Sequence, residues 1–182
     1  MAVQTLLNTL GILSEDLFVI LHPGSGKSAR DWKPEYFGEL ARKLVSNNRV
    51  KVIVTGTSQE QTLVETVTKI GGNDVIPVIG KTSLREYCAL ASAAVLFIAN
   101  STGPIHIAAA VGVPVIGLYP QVPVLSAARW GPYTEKKTIV SPRGKPLDCK
   151  KCQGNRHQGC ECMDSISVDE VYNASIKYLT AE

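Results

Sequence analysis

The sequence predicts an α/β fold built on a doubly wound parallel sheet. Three observations predict it. Short, almost unbroken apolar runs such as 17–21 (LFVIL), 50–54 (VKVIV) and 95–99 (VLFIA) alternate with stretches of helical periodicity, the pattern of parallel strands covered on both faces. Each run gives way to a loop rich in Gly, Ser or Thr. The intervening segments are long enough for right-handed helical crossovers. In such sheets ligands bind outside the carboxyl ends of the strands, which is where all of these polar loops fall.

The elements follow in order. Residues 17–21 read as a buried strand running into the turn 22–26 (HPGSG). Pro34 opens a helix to about residue 45, because a first-turn proline lacks only an N–H that would have no partner there; Phe37, Leu40, Ala41 and Leu44 give it an apolar face. Residues 50–54 are the second strand, followed by a helix over 58–70 with Leu63, Val64, Val67 and Ile70 on one side. Residues 75–79 (VIPVI) are a third strand, which Pro77 places near an edge. Ser83 and Glu86 form a capping box for a helix to about residue 94. Residues 95–99 are the fourth strand, 105–111 a small-residue helix closed by Gly112, and 115–119 the fifth strand. A last strand falls at 138–140, residues 141–164 are irregular, and a terminal amphipathic helix occupies 168–180.

Composition bounds the function. The chain has 182 residues, 45% hydrophobic and 19% charged, with a formal net charge of +3. That is an ordinary globular balance, and without a block of like charge it does not imply nucleic acid. No apolar run reaches the ~18 residues of a membrane span. Residues 1–13 carry neither the basic start nor the cleavage site of a signal peptide, so a cytoplasmic protein is expected. Of five cysteines, Cys88 stands alone and four lie between 149 and 162; a disulfide framework is not expected.

Four segments could carry chemistry. In 100–106 (NSTGPIH) a buried strand stops, a polar turn follows, and Pro104 starts a helix. Thr102 and Gly103 would leave backbone N–H groups open, and with the helix dipole these suit an anion; the plainer reading is a capped strand-to-helix turn. In 23–28 (PGSGKS) the P-loop pattern fails, because Leu21 stands where its first Gly belongs; Lys27 and Arg30 still suit phosphate, or make a solvated basic loop. In 55–60 (TGTSQE), Glu60 either complements a helix dipole or accepts hydrogen bonds from a ribose. Finally, Cys149, Cys152, Cys160 and Cys162 could hold a tetrahedral Zn²⁺, with His157 as a substitute, or stand as thiols in a loop.

Together these segments resemble the carboxyl-terminal domain of glycosyltransferase family nine, the ADP-heptose:lipopolysaccharide heptosyltransferases. The resemblance is most specific in 100–119 (NSTGPIHIAAAVGVPVIGLY) and extends through 22–25 (HPGS), 30–37, the Gly56-to-Glu60 spacing and the end around Cys160, Cys162 and Met163. It implies a Rossmann-like doubly wound sheet forming one half of a GT-B architecture, with 14–182 as the nucleotide-sugar-binding domain and a Cys-rich loop at 148–163. Residues 1–13 resemble the linker out of the amino-terminal domain, so a fragment without its catalytic base, binding nucleotide weakly and without turnover, is the expectation.

Carried over by position, Ser25 and Arg30 contact phosphate, Glu60 the adenosine ribose, Thr102 and Gly103 the diphosphate, and His106 the sugar end, with Ser101 and Pro104 as further substrate-binding residues of the same turn. Lys27 rests on charge alone. No catalytic residue is expected in this chain. Ser101 stands where many members have Asp, and Lys33 separates Trp32 from Pro34; the first departure bears on a divalent cation accompanying the donor. No cofactor is required by the resemblance. The implied partners are an ADP-sugar donor and, through the other domain, a lipopolysaccharide core acceptor, with peripheral contact at the inner face of the bacterial inner membrane. A stand-alone nucleotide-binding module and a GT-B nucleotide-sugar epimerase fragment are the alternatives.

Overall fold

The structure, a computed structural model, describes residues 3–48, 50–143 and 161–180. The chain runs α1 (Val3–Thr9), β1 (Phe18–His22), α2 (Pro34–Asn48), β2 (Lys51–Gly56), α3 (Gln61–Gly71), β3 (Val75–Ile79), α4 (Leu84–Ser92), β4 (Leu96–Asn100), α5 (Gly103–Ala110), β5 (Val115–Leu118), α6 (Ala127–Trp130), β6 (Lys137–Val140), α7 (Glu161–Asp164) and α8 (Val168–Leu179). The described strands form one parallel sheet in the order β3-β2-β1-β4-β5-β6. The order reverses between β1 and β4, the topological switch point of a doubly wound sheet.

The unbroken apolar strands are explained by burial on both sides. In β1, Val19 and Leu21 pack toward α2, α3 and α8, with Phe37, Leu40, Leu44, Val64, Val67 and Val171 in the same cluster. Phe18 and Ile20 point the other way, toward Leu6 and Leu7 of α1, Leu90 of α4 and Ile105 and Ala108 of α5. A strand with side chains alternating between two cores has no polar face to show. The edge position inferred from Pro77 holds among the described residues: β3 pairs there with β2 alone, and Pro77 lies opposite Val54.

Several boundaries differ from the sequence reading. The segment 1–13, expected as a linker, carries α1, whose Leu6 and Leu7 are buried. The helix expected from 58 starts as a 3₁₀ turn (Ser58–Glu60) before α3. Helix α5 starts at Gly103, with Pro104 second, and ends at Ala110. Within the stretch expected to be irregular, Glu161–Asp164 is helical. The short α6 has no counterpart in the sequence reading, since four residues are too few to show a period.

Candidate functional site

Asn100, the last residue of β4, is fully buried at the switch point. Its Nδ2 donates to the Pro23 carbonyl at 2.7 Å, and its Oδ1 accepts from the Trp32 backbone N–H at 3.0 Å. One side chain therefore fixes both ends of the loop that follows β1. The indole Nε1 of Trp32, itself fully buried, donates to the Ile166 carbonyl at 2.9 Å and ties that loop to the segment leading into α8.

The loop so held borders a cleft of about 850 Å³ lined by Ser25, Lys27, Arg30, Asp31 and Glu60 among others. Four predicted site residues thus meet in one place. Ser25 and Arg30 are buried, and Lys27 is exposed in a left-handed conformation with φ 68°. Glu60 bridges two loops. Its Oε1 accepts from the Gly26 N–H at 3.1 Å, and its Oε2 accepts from the N–H and hydroxyl of Thr57 at 2.9 and 3.0 Å. Partial burial would raise the Glu60 pKa, but these hydrogen bonds favour the carboxylate and hold it below its ordinary value. The approach also explains Gly24: a Cβ there would lie 2.0 Å from Glu60 Oε1.

Asp31 was not singled out from the sequence. Burial pushes its carboxyl up to about 6; a hydrogen bond from Ser25 opposes that shift, and the Glu60 charge adds to it. Its Oδ1 is buried without a hydrogen-bond partner. Across the sheet, the His22 imidazole is held near 4 by burial, with the Glu60 charge opposing. His22 Nδ1 lies 2.8 Å from Thr55 Oγ1, which is 3.2 Å from the Tyr87 hydroxyl.

The remaining predicted residues sit beyond the β1 loop. Ser101, Thr102, Gly103 and His106 line a second cavity of about 410 Å³ together with Ser28, Arg129 and Trp130. Thr102 caps α5 by backbone only; its side chain makes no capping bond. Gly103 is exposed, with open space where a Cβ would point. Ala108 and Ala109 are buried against the sheet, as the small-residue run implies. Pro104 instead lines a third cavity, of about 330 Å³, with His22 and Tyr87. The candidates thus share one edge of the sheet but occupy adjoining hollows.

Cys149, Cys152 and Cys160 lie outside the described residues, so the metal proposal falls largely there. Cys162 is buried in the core beside Met163 and Ile166. Among the described residues no group of three or more His, Cys, Asp or Glu is placed to hold a metal ion. No helix among them is long and apolar enough to cross a membrane.

Fold and site together define a Rossmann-like α/β domain with its polar loops gathered at the carboxyl edge of the sheet. The chain belongs to glycosyltransferase family 9 (heptosyltransferase), whose model matches residues 3–159. It is 32% identical over 125 residues to the lipopolysaccharide core heptosyltransferase OpsX of Haemophilus influenzae, covering 68% of this chain and 35% of that one. The fold is similar to that of E. coli ADP-heptose lps heptosyltransferase II (TM-score 0.80, 18% identity, 98% of this chain and 51% of that one). It is also similar to that of E. coli heptosyltransferase WaaC with ADP (TM-score 0.71, 16% identity, 97% and 48%). The chain therefore spans about a third to a half of the length of these relatives.

Proposed function

We propose that this chain is the donor-binding half of a GT-B glycosyltransferase that moves a heptose or related sugar from an ADP-sugar to a lipopolysaccharide core acceptor. The observation that carries the reading is the meeting of two adjoining hollows at the switch point: the loop that Asn100 pins carries Arg30 into one and Ser28 into the other, beside the open amino end of α5. Departure of the nucleoside diphosphate builds negative charge on its phosphate oxygens. The backbone N–H groups at the start of α5, its dipole and the Arg30 guanidinium are preorganised to stabilise that charge. Glu60 and Ser25 border the same cleft and would fix the nucleotide. The base that deprotonates the acceptor hydroxyl belongs to a second domain, so the chain by itself binds donor without turnover. The work site that fits this chemistry is the cytoplasmic face of the inner membrane.

The reaction so drawn calls for no cofactor. A divalent cation accompanying the donor would lack the charge of an Asp where Ser101 stands, and a structural Zn²⁺ on Cys149, Cys152, Cys160 and Cys162 is a separate proposal that elemental analysis decides.

Calorimetric titration tests the donor reading. ADP and an ADP-sugar should bind, and Arg30→Ala should weaken both about 10-fold or more, the size of a lost charge-assisted hydrogen bond. Thr102→Ala should weaken them less. Equal affinity in all three proteins, each folded, would refute the phosphate assignment. Tighter binding of UDP than ADP would favour the epimerase class instead.

A further inference from the structure

The loop between β5 and β6 carries an exposed aromatic that the donor reading does not use. Trp130, at the end of α6, remains 49% exposed, and Val124 beside it 57%. The indole is nevertheless held firmly. Its Nε1 donates to the Val124 carbonyl at 3.0 Å, and the Arg129 guanidinium lies 5.5 Å from the ring centre. Tyr119, fully buried, donates its hydroxyl proton to the Trp130 carbonyl at 2.8 Å. The Trp130 backbone is thus tied to buried Tyr119 just past the end of β5, and its indole to the Val124 carbonyl.

Trp130 and Arg129 line the 410 Å³ cavity together with Ser28, Thr102 and His106, which bring hydroxyls and an imidazole to it. A fixed apolar ring facing a few polar groups is the make-up of a small-molecule site. An aromatic face carries negative quadrupolar charge, which attracts the polarised C–H groups of a sugar's apolar face, while Ser28, Thr102 and His106 in the same lining offer partners for its hydroxyls. The guanidinium adds a place for an anionic substituent.

We propose that Trp130 and Arg129 form a saccharide-stacking subsite that takes a sugar ring beside the amino end of α5. The proposal rests on the donor reading for its source of sugar: the ring belongs either to the donor or to the acceptor glycan. Trp130 is one of two tryptophans, and Trp32 is fully buried, so saccharide protection from acrylamide quenching reports on Trp130.

The test combines calorimetry and quenching on the wild-type chain, Trp130→Ala, Trp130→Phe and Tyr119→Phe, with ADP, ADP-glucose and a lipid-free core oligosaccharide. If the donor supplies the ring, ADP-glucose binds the wild type about fivefold tighter than ADP, the worth of one aromatic contact. Trp130→Ala removes that ratio with ADP affinity unchanged, and Trp130→Phe restores it; Tyr119→Phe, which only frees the platform, reduces it. If the acceptor supplies the ring, the same pattern appears with the oligosaccharide. The proposal is overturned if Trp130→Ala changes neither saccharide's affinity relative to ADP, or weakens ADP equally. Saccharide binding that depends on Trp130 without any ADP binding would instead overturn the donor reading alone.

Discussion

Replacing Asn100 by Ala should loosen the site more than any exposed substitution around it. The change removes two hydrogen bonds, of 2.7 and 3.0 Å, and leaves the Pro23 carbonyl and the Trp32 N–H without partners. Both residues are buried. A buried backbone group stripped of its partner costs about 1–3 kcal/mol, so the pair costs about 2–6 kcal/mol. Water entering the vacated space would recover part of this, which makes ~3 kcal/mol a fair centre. For a domain of this size each kcal/mol lowers Tm by about 2–4 °C, giving a drop of roughly 6–12 °C by the same scaling. Asn100→Asp tests direction as well as size. It keeps an acceptor for Trp32 but turns an oxygen toward the Pro23 carbonyl and buries a charge, so it should be at least as damaging. The assay is thermal unfolding followed by circular dichroism, with ADP affinity measured below the transition. If Asn100→Ala melts within about 2 °C of wild type, which is under 1 kcal/mol, the β1 loop holds its shape without Asn100 and the reasoning fails.

Other predictions follow from the same edge of the sheet. His22, held near 4 against an ordinary 6.5, contributes stability that is complete above pH 6.5 and lost as pH falls toward 4. Asp31, raised to about 6 from 3.8, acts in the opposite sense: its penalty is absent below 3.8 and grows as pH rises to 6. The two oppose each other between pH 4 and 6, so Asp31→Asn should gain stability relative to wild type as pH rises through that interval, reaching about 1–2 kcal/mol at pH 7 after allowance for Asp31's partial exposure. A difference between the two Tm–pH curves that does not vary with pH would count against it. Gly24→Ala should push Glu60 off Gly26 and Thr57 and cost about 1–3 kcal/mol; in a double-mutant cycle with Glu60→Ala the losses should be strongly non-additive, whereas simple additivity would show that the two do not meet. Trp32→Phe should cost about 1–3 kcal/mol by leaving the Ile166 carbonyl unpartnered and a void beside Phe37, read as a lower urea midpoint; an unchanged midpoint would contradict the tie between the cleft loop and the carboxyl-terminal segment.

Much of the fold was legible because its signals are local. Strands buried on both faces must be apolar throughout, and Ser83–Glu86 or Pro34 mark helix starts by their own hydrogen-bonding chemistry. Such features need no partner distant in sequence. The positions of Ser25, Lys27, Arg30 and Glu60 around one cleft were legible for the same reason, since strand carboxyl ends gather at one edge of a parallel sheet. What stayed hidden depends on contacts across long separations. Asn100 looked like the first residue of a polar turn, yet its partners Pro23 and Trp32 are 77 and 68 residues away. Asp31 sits between a basic residue and Trp32, and only three-dimensional burial sets it apart from a solvated carboxylate.

Glu60 shows how this difference bears on mechanism. The sequence offered two roles for it, a dipole partner or a ribose acceptor, and neither anticipates a staple between two loops. Its oxygens accept from Gly26 and Thr57 before any ligand arrives. A carboxylate already oriented by three donors has lost little further freedom when a ribose hydroxyl donates to its remaining lone pairs. It also holds the Gly24–Gly26 backbone where phosphate would approach. The two roles are therefore complementary: the staple is what would make Glu60 a preorganised acceptor. Glu60→Gln separates them. The amide keeps an acceptor for one loop but replaces the other oxygen with a donor facing an N–H group, so the bridge breaks on one side. Loss of both stability and ADP affinity in Glu60→Gln, with the affinity loss absent for free pyrophosphate, would support a direct ribose contact. An equal loss for pyrophosphate would mean that Glu60 acts only through the shape of the loop.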